Sequence, residues 1–332
     1  MILVLRWLAR IFLVALLAVA ATWAFGPRES RELGAGFDTA ALGEDLDEWL
    51  AGQEARFDDI VPGTEKRIVW AGAPGQATDW ALIYVHGFSA SSEEVRPLPD
   101  NVAEALGANL YYTRLAGHGR DGAAMAEPEL ADWMADMGEA MAIGRRIGNR
   151  VLVISTSTGG TLSTLMAADP EMSDGLAGLA LISPNYLVAN SAARMLTWPG
   201  AEWWVPLVVG RERGFTPVNA AHARYWTERY PTVAVLPMAA SVAEVRDIDY
   251  ASLETPALFI FSPDDRVVDA GAIRHVADAW GGPAETEIVR PGPGTDPSSH
   301  VLAGEILSPA LTEPITERIV HWVGTLPSSG RR

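Results

Sequence analysis

Val151-Leu152-Val153-Ile154-Ser155-Thr156-Ser157-Thr158-Gly159-Gly160 is an unbroken apolar run that gives way to small and hydroxyl-bearing residues. Such a run reads as a strand buried on both faces, and the residues after it as the start of a helix. A serine on a tight strand-to-helix turn carries a strained backbone. Its hydroxyl stands clear of the sheet, and the helix amides lie just behind it. Strand and helix nearly touch there, so the positions two before and two after the serine must be small. With Ser157 at the centre those positions are Ser155 and Gly159; with Ser155 at the centre they are Val153 and Ser157, and the valine clashes. Ser157 is therefore the candidate nucleophile. The common form of the motif is G-x-S-x-G, and here Ser155 replaces its first glycine.

The rhythm continues on both sides. Arg67–Trp70, Ala81–Val85, Leu110–Tyr112, Leu179–Ile182, Pro256–Phe261 and Thr286–Val289 read as strands. Leu130–Ile147, Leu162–Ala168, Ala270–Trp280 and Leu311–Val323 read as helices, with apolar residues at three- and four-residue steps. Alternating strands and helices imply a doubly wound, mostly parallel sheet covered on both faces. From about 185 to 250 there is no buried-strand signal, and Trp198, Trp203, Trp204 and Trp226 crowd in with four prolines. That interval is expected to be a subdomain over the sheet edge, with most of its tryptophans in a core of its own. An acidic, helix-prone stretch, Thr39–Asp58, precedes the first strand, with Asp45, Asp47 and Glu48 on a solvated face.

A serine hydroxyl needs a base, and the base needs a carboxylate to orient it. On a sheet of this kind the chain order is serine, acid, histidine. Of the histidines beyond Ser157, His222 lies in the insertion, and His275 and His321 lie in helical patterns. His300 follows a Gly/Pro/Ser-rich loop, Pro291–Ser299, after the last strand. The strand 257–261 ends in Ser262-Pro263-Asp264-Asp265-Arg266. Asp265 is the favoured acid because it directly precedes the Arg-Val-Val turn, with Asp264 as the alternative. His86-Gly87-Phe88 follows the strand ending at Val85, and a glycine there lets backbone approach the site. The amides of Phe88 and Thr158 would donate to a developing oxyanion. His86 and His118, the latter in Gly117-His118-Gly119, read as structural.

These pieces, in this order, resemble the α/β-hydrolase superfamily from about residue 66 to 324. Within it, His86-Gly87-Phe88-Ser89, Gly117-His118-Gly119 and Ser298-Ser299-His300 are similar to bacterial carboxylesterases and monoacylglycerol lipases of the serine aminopeptidase-like branch. The resemblance implies a helical cap at about 185–250 and a Ser157–His300–Asp265 triad that needs no cofactor. It implies hydrolysis of carboxylic esters through an acyl-enzyme, with amide, peptide or thioester hydrolysis or acyl transfer as the alternative use of the same groups. A membrane-tethered binding module without activity is the non-enzymatic alternative. The Trp- and Leu-rich insertion points to an apolar acyl group.

Composition bounds the partners. The 332 residues include 42 acidic and 25 basic ones, for a formal charge of -17, which repels nucleic acid. There are no cysteines, so disulfides, thiolate nucleophiles and cysteine-ligated metals are excluded. No phosphate-cradling glycine loop and no metal-ligand spacing is present. Residues 1–30 form a separate segment ahead of a hydrolase domain at 31–332. Arg6 and Arg10 lead into an uncharged stretch, Ile11–Pro27. This is a membrane anchor or an export signal cleaved near Ala18-Val19-Ala20. Apolarity continuing through Trp23 and Phe25 favours the anchor, and a buried helix is the third reading. In either of the first two cases the hydrolase domain lies outside the cytoplasm.

Overall fold

The computed structural model describes residues 2–290 and 292–327. Met1 of the N-terminal segment, Pro291 of the loop before His300, and 328–332 at the end of the hydrolase domain lie outside the described residues. A long apolar helix comes first, α1 (Ile2–Phe25), and then α2 (Leu46–Glu54), β1 (Arg67–Val69) and β2 (Thr78–Val85). There follow α3 (Leu98–Leu106), β3 (Asn109–Tyr112), α4 (Leu130–Ile147), β4 (Gly148–Thr156), α5 (Thr158–Ala167) and β5 (Leu176–Ile182). Between β5 and the next core strand lie α6 (Ala201–Val209), β6 (Glu212–Gly214), α7 (Ala220–Tyr225), β7 (Arg229–Pro231) and α8 (Val235–Val245). The chain closes with β8 (Ala257–Phe261), α9 (Ala270–Ala279), β9 (Ala284–Ile288) and α10 (Pro309–Val323).

Seven strands form one sheet in the order β1-β3-β2-β4-β5-β8-β9. β1 is antiparallel to β3, and every other pairing is parallel. Alternate side chains along each strand serve opposite faces. Ile83, Val153, Leu181 and Phe259 pack with Trp133, Met137 and Ile143 of α4, Leu162 of α5 and Ile273 of α9. Leu82, Leu152, Ile154, Ile182 and Ile260 pack on the other side with Leu98 and Val102 of α3 and Ile315, Ile319 and Trp322 of α10. Burial on both faces explains why these strands read as solid apolar runs.

The acidic stretch 39–58 is divided: a single 3-10 turn at Thr39–Ala41 precedes α2, whose N-cap Asp45 accepts the Glu48 amide at 3.0 Å. Asp45 and Glu48 are exposed, and Asp47, also exposed, accepts the indole N–H of Trp70 at 2.8 Å. The helix α3 had no clear sequence signal. It is short, starts at the Pro97–Leu98 junction, and draws its stability from Leu98, Val102 and Ala103 packed against α10. The helix at the Ser157 junction begins at Thr158, four residues before the apolar periodicity does, because its first turn is glycine and threonine. Of the insertion's tryptophans only Trp226 is buried; Trp198 and Trp203 are 45% and 54% exposed. They do not form a common core, although the half-buried Trp204 packs with Ala201, Val205 and Leu236, and the exposed β6 pairs antiparallel with the partly buried β7.

In the fold's centre α5 and the end of β2 are in tight contact. A Cβ on Gly159 would stand 2.3 Å from the Val85 carbonyl oxygen and 2.7 Å from that of His86. Both are backbone atoms that cannot swing away. Gly159→Ala is therefore expected to lower stability by about 1–3 kcal/mol or more. Gly72→Ala, where a Cβ meets open space, should melt as the parent does. Thermal denaturation of the two variants side by side checks this.

Candidate active site

Ser157 sits between β4 and α5 with φ 53° and ψ -116°, a conformation that L-residues rarely adopt. It is held there from several sides. Its amide donates to Ile182 O at 2.9 Å, and its carbonyl accepts from Gly160 N (2.9 Å) and Asn185 N (3.0 Å). Strain persists where surroundings over-determine it. The non-glycine residues with positive φ among the described residues are Ser89, Ser157, Ser183 and Ser299. All four lie in the loops after β2, β4 and β5 and next to His300, so backbone strain is concentrated at one edge of the sheet.

Asp265 and His300 meet at that edge. Asp265 Oδ2 is 2.8 Å from His300 Nδ1, and Asp265 Oδ1 accepts the amides of Val267 (2.8 Å) and Val268 (3.0 Å). The side chain of Asp265 is fully buried, whereas Asp264 is exposed. Nδ1 is committed to the carboxylate, and among the described residues Nε2 of His300 makes no hydrogen bond. Ser183 Oγ donates to the His300 carbonyl at 2.7 Å, and Ser183 follows Ile182, the residue that receives the Ser157 amide. One turn of chain after β5 therefore ties the histidine loop to the serine turn. Burial alone would push the His300 imidazole down. The Asp265 hydrogen bond and charge, with the charges of Glu94 and Asp296, outweigh it and hold the pKa above the usual imidazole value.

The loop after β2 closes the third side. A Cβ on Gly87 would lie 3.2 Å from Ser157 Cβ, so loop and serine turn are in contact. Phe88 follows, and among the described residues neither its amide nor that of Thr158 donates to a protein acceptor. His86 braces this loop. Leu115 N donates to its Nε2 at 3.1 Å, so Nδ1 carries the proton and donates to Gly87 O at 2.9 Å. Burial pushes the His86 imidazole well down and His118 to about 4, so both stay neutral. His118 packs with His86, Phe88 and Trp133. His222 stacks on Phe215 in the insertion, and His275 and His321 are exposed on α9 and α10.

Two carboxylates at the site had no sequence signal. Glu94 Oε2 accepts the Gly87 amide (2.8 Å) and the Tyr84 hydroxyl (2.8 Å), and Tyr84 also meets Thr156 Oγ1 at 3.2 Å. Burial pushes the Glu94 carboxyl up, against the pull of those two donors. Asp296 accepts the amides of Ser298, His300 and Val301 within 3.0 Å and so folds the histidine loop around itself. Burial would raise its pKa, but these hydrogen bonds, with the Ser298 hydroxyl, bring it below the usual carboxylate value. Neither residue stands in a motif, and each acts on backbone amides.

A strand-end serine, a buried Asp–His pair and two free amides at the carboxyl edge of a mostly parallel sheet define an α/β-hydrolase. The family described as serine aminopeptidase, S33, matches residues 76–292, and the chain belongs to it. It is a lipase/esterase-type α/β-hydrolase. A thermostable monoacylglycerol lipase from Bacillus sp. (strain H-257) is 26% identical over 190 residues, covering 57% of this chain and 72% of the relative. Among solved structures, that of the metagenome-derived lipolytic enzymes LipS and LipT superposes with a TM-score of 0.64 at 22% identity, covering 80% of this chain and 99% of the other. A monoacylglycerol lipase of Paleococcus ferrophilus gives 0.55 at 16% identity, over 78% of this chain and 98% of its own. These two likenesses establish the fold.

Glu94→Ala strands the Gly87 amide and the Tyr84 hydroxyl, and loosens the loop that carries Phe88. The loss of about 1–3 kcal/mol expected for such orphaned groups should appear as a roughly 10–100-fold drop in kcat/KM on an ester substrate, with a lower melting temperature. Glu94→Gln keeps an acceptor in the same place and should recover most of that activity. Steady-state kinetics on the two variants distinguishes the hydrogen bond from the charge.

Proposed function

We propose that the protein hydrolyses carboxylic esters with an apolar acyl group, of the monoacylglycerol kind, through an acyl-enzyme on Ser157. The observation that carries this reading is the buried Asp265–His300 hydrogen bond, tied by Ser183 to the strained Ser157 turn. Ser157 Oγ attacks the acyl carbon as His300 Nε2 takes its proton. The Phe88 and Thr158 amides hold the oxyanion. His300 then returns the proton to the departing alcohol, and water releases the acid by the same route. Asp265 keeps the proton on Nδ1 and stabilises the imidazolium that forms.

The acyl group has an apolar wall to lie against. Leu187, Val188, Met238 and Val242 line a cleft within the insertion, together with Arg194 and Arg246. Asn185, whose amide meets the Ser157 carbonyl, donates its side-chain amide to Met238 S at 3.4 Å. Met238 of the cleft wall is thus linked through Asn185 to the serine turn. The Bacillus relative, a monoacylglycerol lipase by name, supports the same substrate class. The insertion at about 185–250 is the cap of this reading: β7 places Tyr230 edge-on to Phe88 at 5.3 Å, and Thr227 N donates to Ser89 O at 2.7 Å.

Helix α1 is long and apolar enough to cross a membrane, and none of its most apolar stretch is buried in the protein. Its 24 residues span about 36 Å, more than the ~30 Å of hydrocarbon. With Arg6 and Arg10 on the cytoplasmic side, α1 is a signal anchor and the hydrolase body lies beyond the opposite leaflet.

A fluorophosphonate probe should label the full-length protein and fail to label Ser157→Ala; labelling of that variant would overturn the assignment. A panel of glycerol esters of rising chain length, with an aminoacyl anilide beside them, should give turnover on the esters and a maximum at medium or long acyl chains. The base must be neutral, so kcat/KM should climb as pH rises through the raised His300 pKa. Asp265→Asn removes the group that raises it, so the climb should move to lower pH while the rate falls about 10³–10⁴-fold.

A further inference from the structure

Helix α6 carries apolar side chains on two sides. Ala201 and Val205 face inward and pack with Leu236 and the half-buried Trp204. Trp203, Leu207, Val208 and Val209 face solvent, 54%, 79%, 71% and 52% exposed. The inward face is already satisfied, so the outward one is surplus to folding, and contiguous exposed patches of this kind mark contact surfaces.

The start of α6 touches the end of α1. Gly200 N donates to Pro27 O at 2.6 Å. A Cβ on Gly26 would lie 3.0 Å from Gly200 N, and one on Gly200 only 2.7 Å from Thr22 Cγ2. Trp23, in the last turn of α1, packs edge-on against Trp198 with ring centroids 5.6 Å apart. Tryptophan near the end of a spanning helix sits at the lipid headgroup level, and Trp198 shares that depth. Charge is uneven around this face: Glu29, Glu127, Glu129 and Glu202 gather beside Trp203 at the start of α6, and exposed arginines follow its end. Residues 191–230 carry Arg194, Arg211, Arg213, Arg224 and Arg229 against Glu202, Glu212 and Glu228, in a chain whose formal charge is -17. Arg211 and Arg213 are exposed and come directly after the apolar end of α6, and Glu212 between them is paired with Arg229 at 2.9 Å.

We propose that α6 lies on the same bilayer that α1 enters, with Trp203, Leu207, Val208 and Val209 at the acyl boundary and Arg211 and Arg213 among lipid phosphates. The hydrolase body is then seated against the membrane at two adjoining points instead of swinging on a tether, and the insertion meets substrate still dissolved in lipid. A second copy of the chain would also cover an apolar face, but the aromatic pair at interface depth and the basic rim fit a lipid surface. The inference rests on α1 spanning the membrane.

The chain has no cysteine, so single introduced cysteines carry an environment-sensitive fluorophore at known places. Full-length Val208→Cys, Leu13→Cys and Val69→Cys proteins would be reconstituted in phosphatidylcholine/phosphatidylglycerol vesicles with and without doxyl-labelled lipid. Labels at 208 and 13 should shift to shorter emission wavelength and be quenched by doxyl lipid, with 69 remaining aqueous. Quenching at 13 but not at 208 overturns the proposal and leaves the anchor standing. Quenching at neither overturns both. Concentration-dependent shielding at 208 in detergent, without lipid quenching, assigns the face to a second copy and also overturns it. In the same vesicles, Leu207→Ser/Val208→Ser should raise KM for a bilayer-dissolved ester about tenfold and leave kcat/KM on a water-soluble short-chain ester unchanged; equal effects on both substrates overturn it.

Discussion

The approach of α5 to the end of β2, close enough that Gly159 stands against the carbonyls of Val85 and His86, is the constraint on which the site depends. It forces the chain to reverse within one residue after β4, and that residue, Ser157, takes up a left-handed backbone conformation. The reversal lifts the hydroxyl off the sheet and brings the free amide of Thr158 beside it. The same contact brings the loop at Gly87 against Ser157 Cβ, so both amides of the proposed oxyanion hole are set by one packing event. His86, Glu94 and Tyr84 then hold the Gly87 loop by its own backbone atoms. The backbone amides of the proposed oxyanion hole are thus made rigid by buried side chains that touch no substrate in that reading.

How much of this could be read beforehand depends on whether a feature has a period or a spacing. Core strands buried on both faces gave apolar runs, and α4 gave a three- and four-residue step, so their positions were readable to within a residue or a few. The serine turn was readable because steric exclusion singles out Ser157 over Ser155. Placing Asp265 beside His300 needed only the rule that acid and base follow core strands, though choosing between Asp264 and Asp265 needed coordinates. Glu94 and Asp296 were invisible: each satisfies backbone amides from a loop, and nothing in a loop's composition says which carboxylate turns inward. The tryptophans of the insertion misled for a related reason. Apolar residues signal burial only if what buries them is the protein itself.

Around His300 the electrostatics oppose one another in a useful way. Burial lowers the imidazole's pKa, and the carboxylates Asp265, Glu94 and Asp296 raise it. Only Asp265 is in contact with the ring; the other two act from the loops that position Phe88 and His300. Asp296 is held ionised by three backbone amides and a hydroxyl, while burial pushes Glu94 towards protonation. Beyond the larger contribution of Asp265, part of the field at the base comes from two groups whose main work is structural, so loop geometry and base strength are coupled. A change that relaxes either loop alters the proton affinity of the histidine as well as its place.

The distribution of charge bears on how such a body lives beside a membrane. A strongly acidic surface is repelled by anionic headgroups, and on a flexible tether it would spend its time away from them. The exposed Arg211 and Arg213 offset that sign beside the apolar end of α6, in an insertion that as a whole carries as many acidic residues as arginines. Apolar area on α6 supplies attraction that ionic strength does not screen, and the basic rim supplies orientation. Repulsion from the rest of the surface works in the same direction, because it disfavours every pose except the one with the insertion down. Adhesion and repulsion together then select a single orientation, which neither could do alone.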